Sequence, residues 1–144
     1  MRKTWNPAIT AGIALGILYM FEAVFATGIL FAVWAILGGI FAAALTKWDP
    51  AMALTPGTGA RAGARAGLVG GLVLLVVGTP ITYFLLRELG EEPGLFGTTL
   101  GLPKLATLLL LFLAYAAFGT AVAAAAGGLT GLLGGNKAGQ GERR

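Results

Sequence analysis

Between residues 8 and 45 the chain carries a single charge, Glu22. One unbroken helix over that stretch would reach about 57 Å at about 1.5 Å per residue. The hydrocarbon layer of a bilayer is about 30 Å thick, so the run predicts two helices rather than one. Their join is expected near residues 25–28, where Thr27-Gly28 gives a turn signal. Two more apolar runs follow, at residues 67–86 and from Lys104 to about Gly127, the latter behind Pro103, a residue suited to a first helical turn. The expected fold is all-α: a polytopic transmembrane bundle of four helices with glycine/alanine packing stripes and both termini cytoplasmic. The spans are expected at about 8–25, 28–46, 66–87 and 104–128, within one domain over 1–135, followed by a flexible cytoplasmic tail at 136–144.

Charge distribution supports four spans over three. With both termini inside, Arg2, Lys3, Lys47, Arg61, Arg65, Lys137, Arg143 and Arg144 share the cytoplasmic side, leaving Arg87 and Lys104 outside. Cytoplasmic loops are enriched in Lys and Arg, and three spans would reverse that balance. Trp48-Asp49-Pro50, Thr55-Pro56-Gly57 and Glu91-Glu92-Pro93-Gly94 read as connections. Val24-Phe25-Ala26 has the form of a signal-peptide cleavage site, but apolar sequence resumes at Ile29-Leu30-Phe31, so an uncleaved span is expected. The predicted location is the cell membrane, multi-pass, with the lipid bilayer as the first partner.

The chain contains no Cys, no His and no Ser. Disulfides, thiolate or imidazole metal ligation and a serine or cysteine nucleophile with a histidine base are therefore outside its own chemistry. No enzyme activity and no cofactor is expected. The net charge of +4 is dispersed over short loops and ends, so no nucleic-acid partner is expected either. Amides are scarce (Asn6, Asn136 and Gln140), a mark of proteins from hot habitats.

Small residues recur at fourth positions. Gly59, Gly63, Gly67 and Gly71 make one stride; Ala8, Gly12 and Gly16, then Ala35, Gly39 and Ala43, then Gly119, Ala123, Gly127 and Gly131 make three others. Such stripes let helix backbones approach closely, and close packing offsets the cost of about 1 kcal/mol that each interior glycine imposes relative to alanine. In the four-span topology the stripes lie largely towards the cytoplasmic side. Bulky residues such as Tyr19, Phe21, Phe31, Trp34, Phe84, Phe112 and Tyr115 lie towards the other. The expected bundle is pinched at one end and filled by aromatics at the other. Gly12, Gly16, Gly39, Gly63, Gly67, Gly71, Gly119 and Gly127 are the packing candidates.

Three further features bear on function. Arg61 and Arg65 are one helical turn apart and point the same way in a helix. They serve either as a clamp for an anionic lipid headgroup or as a topogenic anchor. Glu22 is either part of an ion pathway or, the expected case, a wetted residue near the outer turn, because a lone buried charge is costly. Pro80, after Gly78-Thr79, is expected to kink or open its helix, with Thr79 and Thr82 re-satisfying the backbone. A site arises there only if Glu22, Pro80 and Tyr115 face one cavity.

An apolar hairpin, a loop leading into Gly59-Ala60-Arg61-Ala62-Gly63-Ala64, and a fourth span ending in Gly127-Gly128-Leu129-Thr130-Gly131 together resemble the small glycine-rich four-span membrane proteins of unknown function that are widespread in archaea. That resemblance spans most of the chain and implies no catalytic residues. Small multidrug transporters carry a carboxylate in the first of four spans, which Glu22 echoes from nearer the span's end. Rotary ATPase proteolipids also stack glycines but place their carboxylate in an even-numbered helix. Phage holins share the small size and the charged tail. The leading expectation is a non-catalytic integral membrane protein, structural or accessory, packing with itself or within a larger complex. A small proton-coupled transporter or channel using Glu22, or a holin-like permeabilising protein, stands as the alternative.

Overall fold

A computed structural model describes residues 6–25, 29–47, 53–89 and 103–135. All regular structure among these residues is helical: α1 (Pro7–Phe25), α2 (Ile29–Thr46), α3 (Pro56–Val73), a wide turn at Leu74–Gly78, α4 (Thr79–Leu89) and α5 (Lys104–Gly135). Together α3, the wide turn and α4 form one continuous rod, so four rods make the bundle. The expected connections at Trp48-Asp49-Pro50 and Glu91-Glu92-Pro93-Gly94, the basic residues Arg2, Lys3, Lys137, Arg143 and Arg144, and the tail at 136–144 lie outside the described residues.

Helix starts follow local chemistry. At α1, Asn6 precedes Pro7, and its Oδ1 accepts a hydrogen bond from the Ala8 N–H at 3.1 Å. At α3, Thr55 Oγ1 accepts from the Thr58 N–H at 3.2 Å, while Thr58 Oγ1 accepts from the Thr55 N–H at 2.8 Å. This reciprocal cap, with Pro56 in the first turn, satisfies two amides that a helix start leaves open. The helix therefore begins ten residues before the span expected at 66, and Thr55-Pro56-Gly57 is a helix cap rather than a free turn. Within α5, Thr120 and Thr130 donate to the Ala116 and Ala126 carbonyls at 2.7 and 2.9 Å, so their hydroxyls are satisfied inside their own helix.

The wide turn has a local cause. Pro80 has no N–H to donate, and its ring crowds the carbonyl four residues earlier. The chain relaxes by opening one turn into π geometry over Leu74–Gly78, where the Thr79 N–H reaches back to the Leu74 carbonyl. That re-registered bond pairs the Thr79 N–H with the Leu74 carbonyl. The Thr79 hydroxyl, expected to help, is buried and makes no hydrogen bond among the described residues.

Going round the bundle, the helices follow the order α1, α3, α5, α2. The α3–α5 contact is the most extensive, α2 also touches α3 across the short diagonal, and α1 and α5 occupy opposite corners. Two core clusters divide the interior. Ala11, Ala42, Ala62 and Ala66 pack at the end where α1 and α3 begin and α2 and α5 finish, called here the basic end. Leu15, Tyr19, Phe31, Ala35, Leu74 and Phe112 fill the other half. Tyr19 stacks on Phe31 at 4.0 Å between ring centroids, and Phe31 meets Tyr115 at 4.7 Å. The bulky residues do not all point inward: Phe21 and Phe84 are exposed.

The exterior is strongly apolar. On α1, Ile9, Ile13, Ile17 and Phe21 form one exposed stripe, and Leu68, Leu72 and Val76 continue the pattern on the α3 rod. Two helices, Pro56–Glu88 and Lys104–Gly134, are long and apolar enough to cross a membrane, yet only 33% and 28% of their most apolar windows are buried. About two thirds or more of each window therefore faces outward.

Candidate functional site

Close backbone approach dominates the α3–α5 contact. A Cβ added at Gly63 would run into the carbonyl oxygen of Ala123, and one at Gly59 into that of Gly127. A Cβ at Gly67 would lie 2.6 Å from Thr120 Cα, and one at Gly71 2.6 Å from Ala116 Cβ. Gly39 on α2 meets Ala123 from the other side, and Gly127 meets the carbonyl of Gly59 in return. Gly12 and Gly16 on α1 admit Val69 and Val73 of α3. Gly119 acts differently: its missing side chain makes room for the Tyr19 ring, which reaches across the core from α1. Gly38 likewise leaves space for Leu15, and Gly70 faces α1 near Gly12 and Gly16; neither belongs to the strides read from sequence.

Among the described residues, the buried hydroxyls of Tyr19 and Thr79 have no hydrogen-bond partner. Leaving such a group unpaired costs about 1–3 kcal/mol, so Tyr19→Phe is expected to raise stability by an amount within that range. Thermal unfolding in detergent micelles measures it, and a comparable loss of stability would mean that the hydroxyl has a partner in solution.

Glu22 lies one turn beyond Tyr19 and is 7% exposed. The expectation of a wetted turn residue is corrected: the bundle encloses this carboxyl, because it sits on the same inward face of α1 as Leu15 and Tyr19. Pro80, by contrast, is exposed on the outer surface of its rod. Neither of the two described cavities has Glu22, Pro80 or Tyr115 in its lining.

Polar chemistry gathers at the basic end instead. Arg61 and Arg65, both exposed, line a cavity of about 170 Å³ with Asn6, Thr46, Thr58 and Ala62. Three helices build it: the start of α1, the end of α2 and the first turns of α3. Nearby, the Lys47 ammonium lies over the last turn of α5, close to Gly134. A cation there meets the partial negative charge of a helix C-terminus. Sequence reading found the arginines from their spacing but not Asn6, Thr46 or Thr58. The Asn6-Pro7 and Thr55-x-x-Thr58 capping patterns were the available signals for two of them. A second cavity, about 360 Å³, is an apolar furrow between α3 and α5 edged by Leu68, Leu72, Leu75 and Leu113.

No family model, no curated protein and no solved structure matches the chain.

Proposed function

We propose that the chain is an integral membrane protein with four crossings, related to the small glycine-rich four-span membrane proteins of archaea. Its role is structural or accessory, exercised by packing with itself or with a larger membrane complex rather than by catalysis. The carrying observation is the inversion of the bundle: large apolar side chains stand outside on all four rods while glycine and alanine fill much of the interior. In water that exterior would be a very large uncovered apolar surface, whereas lipid covers it at no cost. The rods α3–α4 and α5 outrun a hydrocarbon core of about 30 Å, so their extra turns stand at headgroup level on the basic end.

Because the protein lacks cysteine, single cysteines give a clean test of topology. Introduced at Gly57, Glu91 and Gly139, they are expected to react with an impermeant reagent from outside intact cells only at Glu91. Outside labelling at Gly57 would overturn the four-crossing arrangement. For the packing role, native mass measurement in mild detergent is expected to give a species heavier than the 14.6 kDa chain, and a monomer without companions would count against it.

Burial of Glu22 favours one second reading, a small proton-coupled transporter. An enclosed carboxyl within an apolar helix is the usual mark of an ion pathway. Reconstituted protein that carries a pH-driven flux, lost in Glu22→Gln, would establish that reading over the first.

A further inference from the structure

The cavity at the basic end is built as a cluster of donors. Arg61 and Arg65 project from consecutive turns of α3 into the same recess, and among the described residues neither guanidinium has a hydrogen bond or an ion pair. Among the described residues, no carboxylate lines it. The two hydroxyls at its edge are already committed: Thr46 donates to the Ala43 carbonyl at 2.6 Å, and Thr58 donates to the Ala53 and Thr55 carbonyls at 2.9 and 3.1 Å. Asn6 uses its Oδ1 to cap α1, which leaves its amide nitrogen with two protons to give. The start of α1 adds the partial positive charge of a helix N-terminus. Two planar forks and an amide therefore line one recess, with no acid among its described lining residues.

From this donor set we infer that the recess holds a phosphate-type anion, with Arg61 and Arg65 gripping its oxygens and Asn6 completing the cradle. Guanidinium forks match phosphate oxygens two at a time, and an ammonium does not reproduce that geometry. The same phosphate group reaches the recess either on an anionic lipid headgroup or as a free anion. The lipid-borne form rests on the membrane reading proposed above; the free form does not. The bound anion would tie α1 to α3 across the cavity, so occupancy is expected to register as added stability of the whole bundle.

The test follows thermal unfolding of the purified full-length protein in a neutral detergent, titrated with inorganic phosphate and, separately, with phosphatidylglycerol; phosphatidylcholine is the control. Wild-type protein is expected to gain stability from at least one of the two anions and not from phosphatidylcholine. Protection by both at similar phosphate concentration identifies a free-anion site; protection by phosphatidylglycerol alone identifies a headgroup site. The double variant Arg61→Gln/Arg65→Gln is expected to weaken the response at least tenfold, while Arg87→Gln at the opposite end leaves it intact. Arg61→Lys/Arg65→Lys retains both charges, and so folds under the same electrostatics; it is expected to lose much of the protection because the forks are gone. Absence of protection by either anion, or equal protection of wild type and both double variants, would overturn the proposal. The cysteine-labelling experiment reads the crossings independently, so failure of the membrane reading and failure of this site remain distinguishable.

Discussion

Gly63→Leu is expected to cost at least about 3 kcal/mol of stability, the upper part of the range for forcing extra atoms into a packed core. At this position the first added carbon already meets the Ala123 carbonyl oxygen, which belongs to backbone and cannot rotate aside. Relief requires moving α5 away from α3, and that separation also opens the Gly59–Gly127 and Gly67–Thr120 contacts along the same seam. Leu72→Ala on the neighbouring, 61% exposed face is the control and is expected to change little. Chemical or thermal unfolding in micelles compares the two. Similar stability of Gly63→Leu and Leu72→Ala would show that the seam is not held closed in solution.

The second large effect is expected at the aromatic end. Phe112 is 2% exposed among Leu15, Tyr19, Phe31 and Leu74, and Phe112→Ala leaves a hole there that the surrounding rings are too rigid to fill. Large-to-small changes lose a transfer contribution and a cavity contribution. In a lipid-like solvent the first shrinks, since the unfolded reference is itself apolar, whereas the lost dispersion contacts remain. The expected loss is about 3 kcal/mol, the low end of the range for Phe→Ala. Phe118→Ala, at a 54% exposed position of the same helix, is expected to be close to neutral under the same unfolding assay.

The all-helical architecture was legible because periodic apolar runs and their interruptions are local properties of the chain. Burial of Gly59, Gly63, Gly67 and Gly71 on one face follows from their spacing, and the structure supplies what spacing cannot: which helix answers each glycine. Gly119 shows the limit. Its place in the stride suggested another helix, but it accommodates the Tyr19 ring from the opposite corner. The start of α3 ahead of the apolar run at 67–86 is legible in the glycine stride from Gly59, and its first residue in Thr55-Pro56-Gly57-Thr58, because hydrogen bonding and not hydropathy decides where that helix begins. Glu22 shows a second limit. Its depth along α1 was read from sequence, but its rotation towards the core depends on where α2 and α3 sit, and that is tertiary information. The recess at Arg61 and Arg65 needed the same information, since Asn6 and Thr46 come from two other helices.

Under the membrane reading proposed above, the division of the interior into a glycine-alanine half and an aromatic half would have a consequence for the surrounding lipid. Helices that meet through hydrogen and methyl groups stand closer than helices held apart by Tyr19, Phe31 and Phe112. In a bilayer such a bundle would be a tapered inclusion, taking up less lateral area in one leaflet than in the other. Many copies side by side would impose that difference on the sheet itself, bending it towards the narrow ends, so that the side-chain volumes along four helices would set a preferred curvature for a surrounding membrane.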